Sequence, residues 1–378
     1  MIRSVRIALV ALVAAVPVAR AQGSLSSQGF GYPPGQLSTQ ASGMGGGIAE
    51  LDPVSTINPA ALWSWGRSGL YFQFDPEFRR VQAEGADERS TISRFPLVAA
   101  AFHVGQRAVI GVSSSTFLDR TWATTFESGT RIGADSVTFT QSSRVNGAIN
   151  DIRLAGSWRF GERVSVGAAL HRLAGENRMA ISRVFPDTQQ FGTISENFTL
   201  SYTGAAYSAG AIWRVTPQIG IGASARVGGD IEASRGDTVI STGSVPARFG
   251  FGVRLDAVPG AVFALRAEHV SWTDMNELGS ASLREFDGWD IGGGAELSGP
   301  RLFSAPTVVR AGFRRRVLPF AIEETGQVNE TAYSAGVGLP LAAGRATLDM
   351  SLQRAARDSD AGARERSWIL SFGVGVRP

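Results

Sequence analysis

Five charged residues stand in stretches that are otherwise apolar or glycine-rich, and those that share a stretch are two or four positions apart. They are Arg266, Glu268, Arg310, Arg314 and Asp349. Because side chains two positions apart in a strand point to the same face, we expect these charges to share a face opposite the apolar residues. Arginines in such a row can bind a ligand carboxylate through charge-assisted hydrogen bonds. They can instead pair with Glu268, Asp349 or Asp52 and anchor another part of the chain, which is the interpretation we favour.

Signatures of catalysis and of metal binding are weak. The three histidines, His103, His171 and His269, are isolated and lack the spacing of metal ligands. The glycines at 43–47 have neither dinucleotide-binding nor Walker spacing and follow no strand, which argues against a phosphate site. No serine has the sequence context of an activated nucleophile. We therefore expect a protein that is not an enzyme and that has no metal and no cofactor.

The first residues have the three parts of a secretory signal peptide. Arg3 and Arg6 form a basic region, residues 7–18 are apolar, and Ala19-Arg20-Ala21 supplies small residues for cleavage. We predict a signal peptide at 1–21 that is cut after Ala21. The chain has no cysteine, which excludes a lipoprotein anchor and a disulfide framework.

The overall charge argues against a nucleic-acid partner. Three of the 36 basic residues lie in the predicted signal peptide, which leaves 33 against 33 acidic residues in the mature chain. A net charge near zero is not typical of a nucleic-acid-binding protein. Beyond the signal peptide no apolar run approaches the roughly 18 residues of a membrane-spanning helix.

From residue 68 onward the apolar residues recur with a period of two, which predicts strands rather than helices. We count about fourteen strands, at 68–80, 91–104, 107–118, 148–160, 163–174, 197–215, 218–230, 246–256, 261–273, 286–298, 305–316, 329–340, 345–356 and 366–377. In 197–215 the apolar phase changes, which predicts a β-bulge near Gly204.

Short turns and long polar loops alternate between the predicted strands. The long loops are expected at 119–147, 175–196, 231–245, 273–285, 317–328 and 357–365. Aromatic residues stand near strand ends in the apolar rows: Trp158, Phe160, Trp213, Trp289, Tyr333 and Trp368. An even strand number with this loop pattern predicts an all-β, antiparallel transmembrane β-barrel of about 14 strands. A soluble sandwich or propeller shares the period of two and is the alternative fold.

The stretch 24–66 is too rich in glycine for a helix, too rich in proline for a strand and too apolar for a disordered tail. Glycines also recur in the polar rows of the predicted strands, where a close approach of another backbone would explain them. Irregular backbone is tolerated at membrane depth when it is buried in protein. We therefore predict that this stretch is a hatch, or plug, inside the lumen.

Residues 37–62 resemble the N-terminal hatch motif of the FadL family of outer-membrane transporters, which PorV-like barrels of type IX secretion share. The matching residues are Gly43, Gly45, Gly46, Gly47, Asp52, Asn58, Pro59 and Ala60. Patchier similarity continues in 245–272, 310–319 and 333–353. The resemblance implies a fourteen-stranded barrel, in agreement with the strand count.

The resemblance also implies passive diffusion of a hydrophobic small molecule, such as a long-chain fatty acid or a hydrocarbon, with lateral exit at a kink in the third strand. Alternation in that strand stops at Ser113, Ser114 and Ser115, where we place the possible kink; the serines can equally mark the approach to a loop. The alternative is a PorV-like barrel that acts in protein secretion or surface attachment and has a secreted-protein partner.

The expected organisation is a signal peptide at 1–21, a hatch at 22–67 and a barrel at 68–378. The expected location is the outer membrane of a Gram-negative-type bacterium, with membrane lipid and a hydrophobic ligand as partners.

Overall fold

The computed structural model describes residue 25 and residues 30–83, 86–132, 135–186, 192–278, 283–302, 305–322 and 326–377. The predicted signal peptide, residues 1–21, lies outside the described residues, as does most of 22–29. None of the helices in the described part of the chain is long and apolar enough to cross a membrane.

Strands dominate the described residues. They are β1 Gly69–Ala83, β2 Ala86–Val104, β3 Ala108–Asp119, β4 Trp122–Ile132, β5 Asp135–Phe160, β6 Val164–Val184, β7 Ile194–Arg214, β8 Ile219–Arg235, β9 Thr238–Ser244, β10 Arg248–Val258, β11 Ala261–Val270, β12 Leu283–Glu285, β13 Gly288–Leu302, β14 Ala305–Leu318, β15 Phe320–Ile322, β16 Val328–Leu341, β17 Ala346–Ser359 and β18 Arg364–Val376. Fourteen of them form a ring in which every neighbour is antiparallel, and β8 pairs with β10 past the short strand β9. The ring closes where β1 pairs with β18. The predicted fourteen-stranded antiparallel barrel is confirmed.

The outer face of the ring is apolar. Leu265 and Leu70 are 68% and 59% exposed, and such large apolar side chains follow most ring strands. All six aromatic residues predicted to border this band are exposed: Trp158, Phe160, Trp213, Trp289, Tyr333 and Trp368. An exposed apolar band of this extent is the surface that a barrel presents to lipid.

Several predicted loops prove to be strands. The predicted loop 119–147 contains β4, which pairs with an extended β5 from Trp122↔Val145 to Ile132↔Asp135. Residues 175–184 and 194–196 prolong β6 and β7, and β9 pairs with the end of β8. Both faces of these extensions are largely polar, so they lack the alternation that identified the strands of the apolar band. The long-loop prediction was therefore wrong for these segments.

A register shift lies at the position of the predicted bulge, between Gly204 and Ala206 of β7. The extra residue is in β8, where Gly229 and Asp230 oppose the single residue Ala205. From this bulge, β7 continues toward Ile194 and β8 continues toward Arg235 as the polar extensions of the two strands.

Residues 30–66, which we call the N-terminal segment, contain two short helical elements. Helix α1 (Thr39–Gly43) begins after Ser38, whose side chain accepts a hydrogen bond from the Ala41 backbone N–H. A 3₁₀ helix (Pro59–Trp65) begins after Asn58, whose side chain accepts from the Ala60 N–H. Polar N-caps and a proline in the first turn are the usual start of a helix.

The N-terminal segment contacts inward-facing residues of strands on opposite sides of the ring. Gln36 hydrogen-bonds to Ser115 in β3, Thr39 to Ser371 in β18, and Arg248 in β10 to the Ile57 carbonyl oxygen. A segment that touches the inner face on several sides of a closed ring lies inside it. The segment therefore lies inside the ring, and β1 begins at Gly69, three residues after its end.

We expect Leu265→Arg, near the middle of β11, to lower the free energy of unfolding in lipid vesicles by about 2–4 kcal/mol, because it places a guanidinium in the apolar band. The measurement is denaturant unfolding followed by tryptophan fluorescence. Gln218→Arg, in the exposed turn between β7 and β8, is the control and is expected to change this free energy little. Equal effects of the two substitutions would show that the band does not face lipid.

Candidate functional site

The glycines of the hatch motif lie against the backbone of the barrel wall. A Cβ on Gly45 would stand 2.3 Å from the Phe313 carbonyl oxygen, and a Cβ on Gly47 would stand 2.6 Å from that of Ala264. Gly45 also has a positive φ of 61°, which favours glycine. Glycines of the wall make the same close approach to the segment: a Cβ on Gly312 would stand 2.2 Å from the backbone of Met44. Gly43 and Gly46 are less confined.

The polar residues of the motif hold the N-terminal segment in its own shape. The Asp52 carboxylate accepts from the hydroxyls of Ser38 and Ser55, both at 2.5 Å. Asn58 caps the 3₁₀ helix and donates from Nδ2 to the Glu50 carbonyl oxygen at 3.0 Å. Pro59 and Ala60 lie against Gly167, and the Ala60 carbonyl oxygen accepts from Ser157 at 3.1 Å. Asp52 and Asn58 thus fix the conformation of the segment, and Pro59 and Ala60 contact the wall.

Glu50 is a site residue that the sequence analysis missed. It is fully buried, and its Oε1 accepts from the Ser224 hydroxyl at 3.2 Å. A Cβ on Gly250 would stand 2.0 Å from Glu50 Oε1, so this wall glycine makes room for the carboxylate. Burial raises the pKa of the Glu50 carboxyl above its usual value, and the guanidinium of Arg266 opposes that rise. The only sequence signal for this contact was the recurrence of glycine in facing strands.

The five charged residues with which the sequence analysis began fall into two ion-pair groups. Arg266 lies 2.5 Å from Glu268 and 3.6 Å from Asp290, and Arg314 lies 2.5 Å from Asp290. Arg310 lies 2.6 Å from both Glu296 and Asp349. All three arginines are thus engaged by carboxylates of the wall. Arg266 also reaches the N-terminal segment, at 3.9 Å from Glu50.

Tyr32 of the N-terminal segment lies in a cage of four guanidiniums. Their carbon atoms stand 4.6–5.7 Å from the ring centroid and belong to Arg79, Arg94, Arg316 and Arg357. The Tyr32 hydroxyl accepts from Arg316 at 2.5 Å and donates to Glu330 at 3.1 Å. We call this group the arginine cage. No motif predicted it, because its members come from four strands far apart in sequence.

Carboxylates neutralise the arginine cage. Arg357 donates to Glu330 at 2.6 Å and to Glu77 at 2.8 Å, and it also pairs with Glu365. Arg94 pairs with both Glu77 and Asp119. Four carboxylates thus face four guanidiniums in a buried, hydrogen-bonded network. Removing one partner from such a network leaves an uncompensated buried charge, which costs about 3–5 kcal/mol.

Next to the cage the lumen is apolar. We call this group the apolar cluster; its main members are Phe30, Phe117, Leu118, Ile149, Leu173, Tyr202, Ile231, Val270, Trp272, Met275 and Phe320. The rings of Phe117 and Trp272 stack at 5.6 Å, and Phe320 meets Trp272 and Phe30 edge to face. Next to this cluster lies a cavity of about 50 Å³, lined by Phe117, Val270 and Trp272 on one side and by Arg226, Arg248 and Arg314 on the other.

The ladder between β2 and β3 is interrupted beside the apolar cluster. Pairing runs from Val104↔Ala108 to Leu97↔Ser115, whereas the described pairs of 86–94 in β2 are with β1. Two irregularities mark this level: the register of β1 against β2 shifts at Phe95-Pro96, and that of β3 against β5 shifts between Thr116 and Leu118. Proline cannot donate to a ladder, so Pro96 favours the interruption.

The predicted kink residues lie just before this interruption. Ser113, Ser114 and Ser115 keep regular pairs with both β2 and β5. The irregularity of β3 falls instead at Phe117, and the β3 edge beyond it is covered by the N-terminal segment. There Tyr32 and Asp119 exchange two backbone hydrogen bonds of 2.8 Å.

His171, which the sequence analysis took as isolated, joins three strands. Its Nδ1 lies 2.9 Å from the Asp151 carboxylate in β5, and its Nε2 lies 2.8 Å from Ser208 Oγ in β7. Gln36 donates to the same carboxylate at 2.9 Å. The four side chains are buried and hydrogen-bonded to one another, so they link the N-terminal segment to the wall. Within the described residues, no group of three or more His, Asp or Glu is arranged to hold a metal ion.

Solved channel structures share this fold. The Ralstonia pickettii toluene transporter TbuX has a TM-score of 0.58 and 17% identity, over 91% of this chain and 98% of that one. A Pseudomonas aeruginosa FadL homologue has a TM-score of 0.62 and 11% identity, over 92% and 99%. The CymD monoaromatic hydrocarbon channel has a TM-score of 0.57 and 14% identity, over 92% and 98%. No protein-family model matches the sequence, and no curated protein matches it significantly. The shared property is therefore the fold of FadL-type channels.

We expect Gly45→Ala to displace the turn at 43–47 from the wall, because the new methyl group meets the Phe313 backbone and φ is positive. Thermolysin cleavage near Ile48, read by mass spectrometry on the detergent-solubilised barrel, should become faster by roughly tenfold. Gly156→Ala is the matched control, because nothing lies within 4 Å of its added Cβ. Equal cleavage of the two variants would contradict the close fit of the turn.

Proposed function

We propose that this protein is an outer-membrane channel through which hydrophobic small molecules diffuse passively. The observation that carries the proposal is the apolar cluster, which lies inside the ring and borders the interrupted β2–β3 ladder. A water-filled pore would be lined by polar groups at this level. An apolar lumen next to a break in the wall instead suits a ligand that leaves water and enters lipid.

Under this proposal the ligand enters at the long-loop end and binds among the rings of the apolar cluster. Aromatic side chains offer large apolar area and edge-to-face contacts to such a ligand. It then leaves sideways between β2 and β3, where Phe117 faces the lumen and Phe95 is exposed on the outer face. The backbone bridge between Tyr32 and Asp119 covers this route and must part for the ligand to pass.

We infer the following organisation for the chain. Residues 22–67 act as a plug that blocks the lumen toward the short-turn end, and residues 68–378 form the transmembrane barrel. Residues 1–21 direct export. The support for the plug is the buried, glycine-mediated contact of Gly43–Gly47 and the capped 3₁₀ helix with the wall. The motif residues Asp52, Asn58, Pro59 and Ala60 serve to hold the shape of the plug.

The substrate class is a hydrophobic compound, with monoaromatic hydrocarbons and long-chain fatty acids as the two candidates. The solved channels with this fold are named for toluene, for monoaromatic hydrocarbons and for FadL. Wall carboxylates pair with Arg266, Arg310 and Arg314. We infer that these arginines act as anchoring charges and do not bind the carboxylate of a ligand. This arrangement favours a neutral ligand at the apolar cluster.

The first test is the lipophilic extract of the detergent-purified barrel, analysed by mass spectrometry, together with uptake of radiolabelled toluene and of radiolabelled oleate by vesicles that contain it. Uptake of either probe above that of protein-free vesicles is expected. A barrel that takes up neither probe and retains a specific exported protein would overturn the transport proposal and favour the secretion alternative.

Locking the bridge over the lateral route is expected to stop transport. Opposed residues that exchange both backbone hydrogen bonds have Cα atoms about 5.5 Å apart, which suits a disulfide. The chain has no native cysteine, so Tyr32→Cys combined with Asp119→Cys forms a defined link. Oxidation should lower uptake of the transported probe by roughly tenfold, and a reductant should restore it.

The two single-cysteine variants are the controls, because each loses one side chain of the cage region and forms no link. Their uptake should not respond to the reductant. If the double variant transports equally well when oxidised and when reduced, the ligand does not leave by this route.

A further inference from the structure

Arg153 is a buried guanidinium that forms no ion pair with a carboxylate within the described part of the chain. It points inward from β5 and is 3% exposed. Its Nε and Nη2 are buried, and neither has a hydrogen-bond partner within the described part of the chain. Arg266, Arg310, Arg314 and the four arginines of the cage are all engaged by acids. A buried charge without a partner is costly, and such a group calls for a bound species.

The neighbouring charges leave an excess of positive charge around Arg153. The charged groups that act on it are the Asp151 carboxylate and the Arg248 guanidinium. Asp151 is shared, since it accepts from Gln36 at 2.9 Å and lies 2.9 Å from His171. Arg226, also buried, interacts electrostatically with Arg248 and Asp151, and its Nε lacks a partner among the described residues. Glu268 lies 3.4 Å from Arg248, so three guanidiniums here face two carboxylates. An anion would balance this excess.

Arg153 lines a small cavity between the N-terminal segment and the wall. The cavity has a volume of about 10 Å³. Its polar side chains are those of Arg153, Ser113 and Thr56, and its other walls include Val54, Leu62 and Trp65. This volume suits one atom-sized species, because a single water needs roughly 10–15 Å³ by this measure. A carboxylate or phosphate group is too large.

The polar groups of the cavity favour an anion over water. Arg153 offers N–H groups that can only donate, and Ser113 adds a hydroxyl. The Thr56 hydroxyl donates to Ser115 Oγ at 3.2 Å, so only the lone pairs of its oxygen remain for the cavity. A water molecule would leave the charge of Arg153 uncompensated in largely apolar surroundings. A species that only accepts, and that carries a negative charge, fits this set of donors better.

We propose that the lumen binds one chloride-sized monovalent anion between Arg153 and Ser113, against residues 53–56. The anion joins the N-terminal segment to β3 and β5 next to the last pair before the ladder interruption, Leu97↔Ser115. Its binding therefore stabilises the seated position of the segment. This site is separate from the apolar cluster and requires no transported ligand.

The direct test is diffraction from crystals of the wild-type barrel grown with sodium bromide in place of sodium chloride, with data collected at the bromine absorption edge. An anomalous peak within hydrogen-bonding distance of Arg153 Nε or Nη2 is expected. Density for an ordered water only, without anomalous signal, would overturn the proposal. This measurement needs no substitution and does not depend on transport.

The second test compares thermal unfolding in sodium chloride and in sodium gluconate at equal ionic strength. The wild-type midpoint should be about 2–4 °C higher in chloride, because only the folded state binds the anion. Arg153→Met should lose this difference. Arg178→Met, which removes one charge from a side chain that is 78% exposed, should keep it. Equal midpoints in the two salts, or a difference that survives in Arg153→Met, would contradict the proposal.

Discussion

A ring of fourteen strands encloses more space than its own inward side chains can fill, and the rest of the structure follows from this constraint. An eight-stranded barrel fills its interior with side chains, whereas larger rings need a plug or hold water. Here the N-terminal segment occupies the space, and its backbone must approach the wall closely to find partners. Glycines supply that approach from both sides, as Gly45 and Gly312 show, where an added Cβ would meet the opposing backbone at 2.3 and 2.2 Å. Irregular backbone is stable at this depth because it lies within protein and not within lipid.

The charged side chains in the lumen are constrained as well, because each buried guanidinium needs a partner that accepts its hydrogen bonds. Every cationic side chain of this protein except histidine is arginine, and the chain contains no lysine. The guanidinium carries five donors in a fixed fork, so one arginine can serve several carboxylates. Arg357 does so, with Glu77, Glu330 and Glu365 as partners. Buried networks of this kind add little net stability compared with apolar packing, but they penalise any other placement of their members. The arginine cage thus specifies where Tyr32 must lie.

The sequence predicted the barrel well and its contents poorly, for a physical reason. Lipid imposes a period of two on every strand of the apolar band, and that local pattern predicted the strands. It also indicated the level of the irregularity beside Gly204, but not that the extra residue lies in β8. Outside the band both strand faces meet water, so the hairpin of β4 and β5 left no such pattern and was predicted as a loop. Pairing across the lumen joins residues about 300 positions apart, as between Tyr32 and Glu330. A single sequence carries no local signal for such contacts. Alternation in β3 ends at Ser113–Ser115, which predicts a possible kink there, and the register shift of β3 against β5 lies two residues after Ser115, at Phe117.

Asp119 connects the wall, the N-terminal segment and the lateral route. Its backbone pairs with Tyr32 along the β3 edge, and its carboxylate pairs with Arg94 of β2. Arg94 in turn contacts the Tyr32 ring and Glu77. Separating Tyr32 from the β3 edge therefore removes a ring from the cage and loosens the only described charge link between β2 and β3 at this level. If the ligand leaves by the proposed lateral route, opening of the ladder and release of the N-terminal segment are therefore one event and not two. A ligand that displaces Phe117 within the apolar cluster would bias that event, because Phe117 is the residue at the register shift, two positions before Asp119.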